Sequence, residues 1–453
     1  MKPLINLKSR MFAVLLVSCL IFSIPVSSQY SKKKTKRSYS INNSDNGKTT
    51  IKYSNGKSRF ELEYEGDITL SDDDSDIVAI SAGGYFDLRK STFGNRRRIV
   101  IESDRNGRLV KEYYVGRKQQ SFSPEGKKWL KEVLTEVVRS TTISAEKRVN
   151  RFYNKGGIDA VLEEIEQIDS DHVKTAYFEH ALAKNLNNSE LIKVINTSGR
   201  EVDSDHYLTR ILVSNQESFL NSEVATAAYI KASSSIGSDH YKTKVLKTAI
   251  KNGSINNDQI ESLLEMTQDI GSDHYLTQVL LTVMKERDLD SQNTANVIRL
   301  TKSIGSDHYK TQVLTKALGQ RNISKEAYDS FLTTISDISS DHYMSTVIGK
   351  LMDTNFENQN LDRLLDIASD NISSDHYLSS MLKKLVKNNR LTDEQIIKVL
   401  KATRSIGSDH YASSFLVSLA PKVNSESTRQ AYREAAKNIS SDLYYGRALK
   451  ALD

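Results

Sequence analysis

Cysteine is nearly absent: Cys19 is the only one in 453 residues, and it falls in an apolar N-terminal run. The rest of the chain therefore carries no disulfide, no thiol nucleophile and no cysteine metal centre. Proline and tryptophan are scarce too, at four and one. Few prolines mean few forced breaks, which favours long helices over a loop-rich fold. No apolar stretch beyond the N-terminal one approaches the ~20 residues of a membrane-spanning helix. A charge surplus is also missing. The formal net charge is +6, or +3 once the N-terminal Lys2, Lys8 and Arg10 are set aside. That balance lacks the basic footprint of nucleic-acid binding.

What is present begins with an address. Lys2, Lys8 and Arg10 surround or precede an apolar run from Met11 to Val26, closed by Ser27 and Ser28. This is the layout of a cleavable secretory signal over residues 1–28. It implies an exported protein, periplasmic or extracellular, with no transmembrane segment in the mature chain. Leu16-Val17-Ser18-Cys19 resembles a lipoprotein cleavage box, so a lipid anchor at Cys19 is the alternative. The apolar tail Leu20–Val26 that would follow the lipid favours cleavage after Ser28. Residues 29–48, including SKKKTKR (31–37), read as a basic disordered linker. Attraction of this run to an anionic envelope surface is the lesser reading.

At this length two or more folded units are expected. Residues 49–122 show short alternating runs around Asn55-Gly56 and around Asp104–Gly107, the signals of antiparallel hairpins. They predict a small antiparallel β domain of six or seven strands. Within it, SDDDSD (71–76) lacks the glycine and terminal glutamate of a calcium loop and reads as a solvated acidic turn. After Phe122 the period becomes helical. Ser123-Pro124-Glu125 looks like a helix start, with Trp129, Leu130, Val133, Leu134, Val137 and Val138 on one apolar face. Residues 123–169 are read as the N-terminal helical cap of a repeat array that fills residues 170–453.

The array announces itself by its histidines. His172, His206, His240, His274, His308, His342, His376 and His410 stand 34 residues apart every time, and they are eight of the nine in the chain. A fixed period of this length is the mark of stacked two-helix units. The expected architecture is mainly α: a right-handed α-solenoid of eight repeats, HEAT- or tetratricopeptide-like, plus a final capping helix. The last copy keeps Ser441-Asp442 but has Leu443 in the histidine slot.

Each slot has a physical reading. An isoleucine or valine, such as Ile304, closes the preceding apolar face. Next comes a turn residue, glycine at Gly237, Gly271, Gly305 and Gly407, suited to a left-handed helix end. Ser306 and its equivalents then cap the next helix with the hydroxyl, and Asp307 and its equivalents favour the positive end of the helix dipole. Tyr309, Val313 and Leu314 form the buried stripe. Ser-Asp-His side by side is not a catalytic set, because adjacent residues on a helix point in different directions. No catalytic residue and no cofactor is expected. The histidine row is read as packing, with metal binding or acid sensing as the sharper alternative.

The stretches SDDDSDIVAISAGGYFDLRK and SPEGKKWLKEVLTEVVRSTTISAEKRVNRFYNKGGIDAVLEEI, with the repeated I-x-S-D-x-x-x-x-x-V-L, resemble an uncharacterised bacterial extracytoplasmic family. Similar segments in that family are attached to membrane-bound zinc metallopeptidases of the β-lactam-sensor type. The resemblance implies a β domain followed by HEAT-like helical repeats. It does not imply peptidase activity here, because this chain has no His-Glu-x-x-His and no span after the N-terminal run. The functional expectation is a non-catalytic exported scaffold or sensor that binds a protein or peptide partner in the bacterial envelope. A metal- or pH-responsive histidine array is the alternative.

Overall fold

The computed structural model describes residues 38–43, 48–54, 59–92, 94–320, 325–353, 361–388 and 391–453. The signal-like segment, Cys19, the basic run 31–37 and the Asn55-Gly56 turn lie outside the described residues. The described strands are β1 (Ser38–Asn43), β2 (Lys48–Ser54), β3 (Arg59–Glu65), β4 (Ile68–Leu70), β5 (Ile77–Ile80), β6 (Tyr85–Thr92), β7 (Asn95–Ser103), β8 (Leu109–Val115) and β9 (Lys118–Gln120). Seven make one antiparallel sheet, in the order β1-β2-β3-β6-β7-β8-β9, while β4 pairs with β5.

Strand β1 corrects the reading of residues 29–48 as wholly disordered. Tyr39 stands opposite Tyr53 and Ile41 opposite Ile51, a period-two pattern masked in the sequence by the basic run beside it. The sheet buries one face. Ile51, Leu62, Leu88, Ile99 and Tyr113 form a single cross-strand row, each paired in register with the next, and all five are buried. Alternation along each strand puts this row and its Phe60, Phe86 and Ile101 neighbours on the same side.

Helix α1 (Lys127–Ser140) covers that face. Its Trp129, Leu130, Val133, Leu134, Val137 and Val138 share one core with the sheet, with Ile68, Leu70, Ile77 and Ile80 and with Ile143. Residues 123–143 therefore complete the β domain, whereas the sequence assigned them to the helical array. The apolar face was legible, but which layer it meets depends on tertiary packing. The helix start also differs. Ser123–Pro124 is a cis peptide, Ser123 is extended rather than a cap, and regular helix begins at Lys127.

A second core begins at Ala145 and runs to Leu452. Helix α2 (Ala145–Glu166) is bent at Gly156 and Gly157, the latter at φ 64°, so its two arms form a helical pair ahead of the repeats. Motif helices follow at Asp171–Leu182, Asp205–Ser214, Asp239–Asn252, Asp273–Glu286, Asp307–Ala317, Asp341–Leu351, Asp375–Asn388, Asp409–Leu419 and Asp442–Leu452. Between them run return helices Asn188–Glu201, Glu223–Ala232, Asn257–Met266, Ser291–Leu300, Lys325–Ile335, Leu361–Asn371, Asp393–Ala402 and Glu426–Ala436. Each motif helix packs on the next motif helix, and each return helix on the next return helix. The result is a mainly-α stack of two layers behind an N-terminal β domain.

The stripes that drive this are short. Val313 and Leu314 on one motif helix, and Ile260, Leu263 and Leu264 on one return helix, are buried, each contributing roughly 1.5–3 kcal/mol of apolar transfer. Return helices begin at true caps: Asn187 with Glu190, Asn256 with Gln259 and Thr392 with Gln395 form reciprocal capping boxes.

Candidate functional site: a histidine–tyrosine row and the junction beneath it

The motif aspartates hold successive repeats together. The Asp273 carboxylate accepts the backbone N–H groups of Gly305 at 3.1 Å and Ser306 at 2.8 Å, both in the following repeat. Asp205 does the same for Gly237 and Ser238, Asp307 for Ser339 and Ser340, Asp375 for Gly407 and Ser408, and Asp409 for Ser440 and Ser441. A carboxylate receiving two N–H groups at the start of a helix satisfies donors that the helix itself leaves open. The aspartate is thus a clamp between repeats, beyond the end-charge role read from the sequence.

This corrects two further expectations. Ser306 sits at the N-cap with extended backbone, but its hydroxyl makes no capping bond, and the same holds at Ser204, Ser238, Ser272, Ser340 and Ser408. The preceding aspartate binds instead the N–H groups of the turn residue and of the N-cap serine itself, ahead of the positions a capping hydroxyl would serve. The turn glycines do not adopt left-handed conformations either; Gly237, Gly271, Gly305 and Gly407 are absent from the positive-φ residues. A Cβ at Gly305 would meet Asp273 Oδ2 at 3.5 Å, an ordinary contact. Serine at the equivalent Ser339 and Ser373 therefore fits without strain.

With Asp307 engaged by the next repeat, Ser306, Asp307 and His308 do not form a relay. The histidines instead stand at the start of each motif helix, exposed at His206, His240, His274, His308, His342, His376 and His410 and half-buried at His172. At His172, burial and then the nearby Arg210 hold the imidazole below its usual pKa.

While His172, followed by Val173, meets only Tyr207, each ring from His206 to His410 lies between two tyrosines. The tyrosine of its own copy is 5.0–5.3 Å away between centroids, and that of the next repeat is 5.7–6.0 Å away. The row runs unbroken from His172 to Tyr444. Sequence reading placed Tyr241 and Tyr309 in the buried stripe; they are half-buried and share the row with the imidazoles. Their period equals that of the histidines, and this was the available signal.

The row has a fixed polarity. Tyr241, Tyr275, Tyr309 and Tyr343 bring their hydroxyls to 3.2–3.4 Å from Nδ1 of the preceding histidine. Nε2 of His274 and His308 faces the side-chain amide nitrogens of Gln278 and Gln312, at 2.6 and 2.8 Å. An amide nitrogen can only donate, so in a neutral ring Nε2 accepts and Nδ1 carries the proton, donated to the tyrosine oxygen. Because a tyrosine ring separates every pair of neighbouring imidazoles, two of them cannot close on one metal at the ~2 Å that zinc requires. Among the described residues no three His, Cys, Asp or Glu side chains converge on one point.

A groove of about 310 Å³ opens beside the row, lined by His240, Lys244, Lys247, Lys251, Tyr275 and Gln278.

At the base of the array the acidic turn is solvated only in part: Asp72 and Asp73 are exposed, whereas Asp74 is not. Asp74 is buried, at φ 54°, and its carboxylate receives Arg148 at 2.8 and 2.9 Å and Arg151 at 2.5 Å. Arg148, 1% exposed, also reaches Glu164 at 2.9 Å and the Tyr177 hydroxyl. Arg139 grips Glu164 in a two-pronged pair at 2.9 Å. Burial pushes the Tyr177 hydroxyl up to about 12. For Glu164, burial raises the carboxyl, but Arg139 and Arg148 outweigh it and hold it below its ordinary value. The network ties β domain, α2 and first motif helix into one unit. Asp74 lies more than 70 residues from Arg148 and Arg151 in sequence, so no local pattern displays the pairing.

No family model matches the chain, and no curated protein matches it. A solved structure from "Computational Design of Self-Assembling Cyclic Protein Homooligomers" aligns over 65% of this chain and 91% of its own, at 12% identity and a TM-score of 0.12. A likeness of that size carries no argument about fold or function.

Proposed function

We propose that this chain is a non-catalytic scaffold or sensor protein of the bacterial cell envelope, and that the histidine–tyrosine row is its docking track for a protein or peptide partner. One observation supports this: a solvent-facing row of alternating imidazoles and phenols, held rigid by its own hydrogen bonds, repeats along the array. Aromatic rings fixed in advance offer contact area at small entropic cost. An extended track suits a chain-like partner better than a small substrate. Export and envelope location rest on the N-terminal segment and on the likeness to segments carried by membrane-bound peptidases. The alternative, a metal- or pH-responsive array, is weakened for metals by the tyrosine between each pair of imidazoles.

Photo-crosslinking tests the reading. A photoreactive residue replacing His308 is expected to give a discrete adduct in envelope extract, and one replacing Glu261 on a return helix is not. Equal labelling from both positions, or none from the row, overturns the track. Zinc calorimetry on the same protein decides the alternative: several tight sites, lost in His274→Gln/His308→Gln, would favour the metal array.

A further inference from the structure

The strand order gathers unpaired cations at one end of the β domain. Arg59 opens β3 and stands opposite Ser91 of β6, which stands opposite Arg96 of β7. One residue in, Arg97 faces Val115 of β8, which faces Lys118 of β9. Gly116 donates its N–H to the Arg96 carbonyl at 2.8 Å, which fixes the Gly116-Arg117 turn beside the β6–β7 tip. Five neighbouring strand ends thus carry Arg59, Arg96, Arg97, Arg117 and Lys118 across about 19 Å, four spacings of a sheet.

All five are exposed. Arg97 lies 5.9 Å from the Trp129 ring centroid; the other four take part in no ion pair among the described residues. Some surface charges on the helical array do pair, as in Lys193–Asp159, Arg200–Glu166, Arg363–Asp329 and Lys398–Asp362. Nearby carboxylates are already engaged, Glu61 by Lys52 and Glu136 by Lys90. Val115, 44% exposed, sits among the cations.

The opposite end of the same strands meets the helical array. Following Glu65, the Ile68 carbonyl accepts the Ser144 hydroxyl at 2.6 Å and Asp74 binds Arg148. The cationic end is therefore turned away from the array by the length of β3, about 20 Å. Strand β1 begins at this end too, since Ser38 pairs with Ser54, and the sequence just before it holds Lys32, Lys33, Lys34, Lys36 and Arg37.

We propose that this end of the β domain docks on an anionic phospholipid membrane, with the helical array projecting away from it. A set of strand tips with exposed cations and one exposed valine matches a plane of phosphate headgroups. Each Lys or Arg near such a surface adds about fivefold to binding.

The test is cosedimentation of the full chain with phosphatidylcholine vesicles, with and without one-third phosphatidylglycerol. Arg59→Gln/Arg96→Gln/Arg117→Gln/Lys118→Gln is compared with Lys244→Gln/Lys247→Gln/Lys251→Gln/Lys316→Gln, which removes equal charge from the motif layer. The wild type is expected to prefer phosphatidylglycerol vesicles, the first variant to lose at least tenfold of that preference, and the second to lose under threefold. Equal losses in both variants would reduce the effect to net charge and overturn the proposal. So would a wild type without preference, or a first variant that keeps it. If duplex DNA competes wild type off the vesicles at stoichiometric levels, the surface is a general polyanion site and the lipid assignment fails. Unchanged circular dichroism of both variants confirms that the fold is kept.

Discussion

Replacing Asp273 by alanine should weaken the array more than any change at Ser306, although the serine looks like the cap in the sequence. Asp273 accepts two backbone N–H groups, from Gly305 at 3.1 Å and Ser306 at 2.8 Å. Hydrogen bonds to a charged group contribute about 1.5–3 kcal/mol net when buried, and this site is only part-buried, so the lower end applies to each. Removing both, together with a small first-turn dipole contribution, should cost about 3 kcal/mol. Asp273→Asn keeps one acceptor but turns an amide NH₂ towards the second N–H, so about 2 kcal/mol should be lost. Ser306→Ala removes a hydroxyl without a capping bond and should stay within about 0.5 kcal/mol, the range of a surface change. Urea unfolding followed by circular dichroism gives the ranking, and amide exchange locates it, with Gly305 and Ser306 losing protection in Asp273→Ala alone. If Ser306→Ala costs as much as Asp273→Ala, the serine oxygen is the cap and the clamp is wrong.

Other consequences can be checked as directly. A fragment starting at Ala145 should be helical and soluble, whereas one starting at Ser123 carries the apolar face of α1 without its sheet and should aggregate; size-exclusion chromatography separates these outcomes. The lowered carboxyl of Glu164 contributes stability above its unfolded value of 4.5 that is lost as pH falls through the still lower folded value. Acid unfolding should accordingly reach the junction below about pH 4.5, and Glu164→Gln should flatten that dependence while costing about 3 kcal/mol at neutral pH, because Arg148 is left buried beside one carboxylate; pH-dependent urea midpoints would show it. Tyr309→Phe keeps the ring between its histidines and loses only the 3.2 Å contact to His274, so it should cost under about 1 kcal/mol, with Tyr309→Ala clearly worse by the same unfolding assay.

Much of the architecture was legible because it is periodic. A 34-residue recurrence of His, Ser-Asp and a closing aliphatic residue marks the motif helices from Asp171 to Asp409, and Ser441-Asp442 alone marks the last. The aliphatic residues from Ile168 to Ile439 are all buried. Periodicity says what recurs but not what touches. Ser306 and Asp273 are equally regular in sequence, yet only the contact between repeats shows that the aspartate acts one repeat ahead. Tyr309 looks like core at helical spacing, and only the packing of successive helices leaves its edge in solvent beside His274 and His308. At the junction the signal was absent altogether. Asp74 lies in a polar run and Arg148 in an ordinary helix, and burial of both follows from a contact between two cores. The Gly156-Gly157 pair was the one local sign that α2 is a bent pair.

The clamp also gives the array a direction. Every motif aspartate from Asp171 to Asp409 serves the start of the next motif helix, so each repeat carries the receptor for its successor and none for its predecessor. A chain emerging N-terminus first meets each new loop with its acceptor already in place, seeded by α2 anchored on Asp74. Shortening from the C-terminus removes guests and leaves hosts intact. Shortening from the N-terminus removes a host and leaves two N–H groups at the new first loop without their carboxylate, so equal deletions at the two ends are unequal in effect.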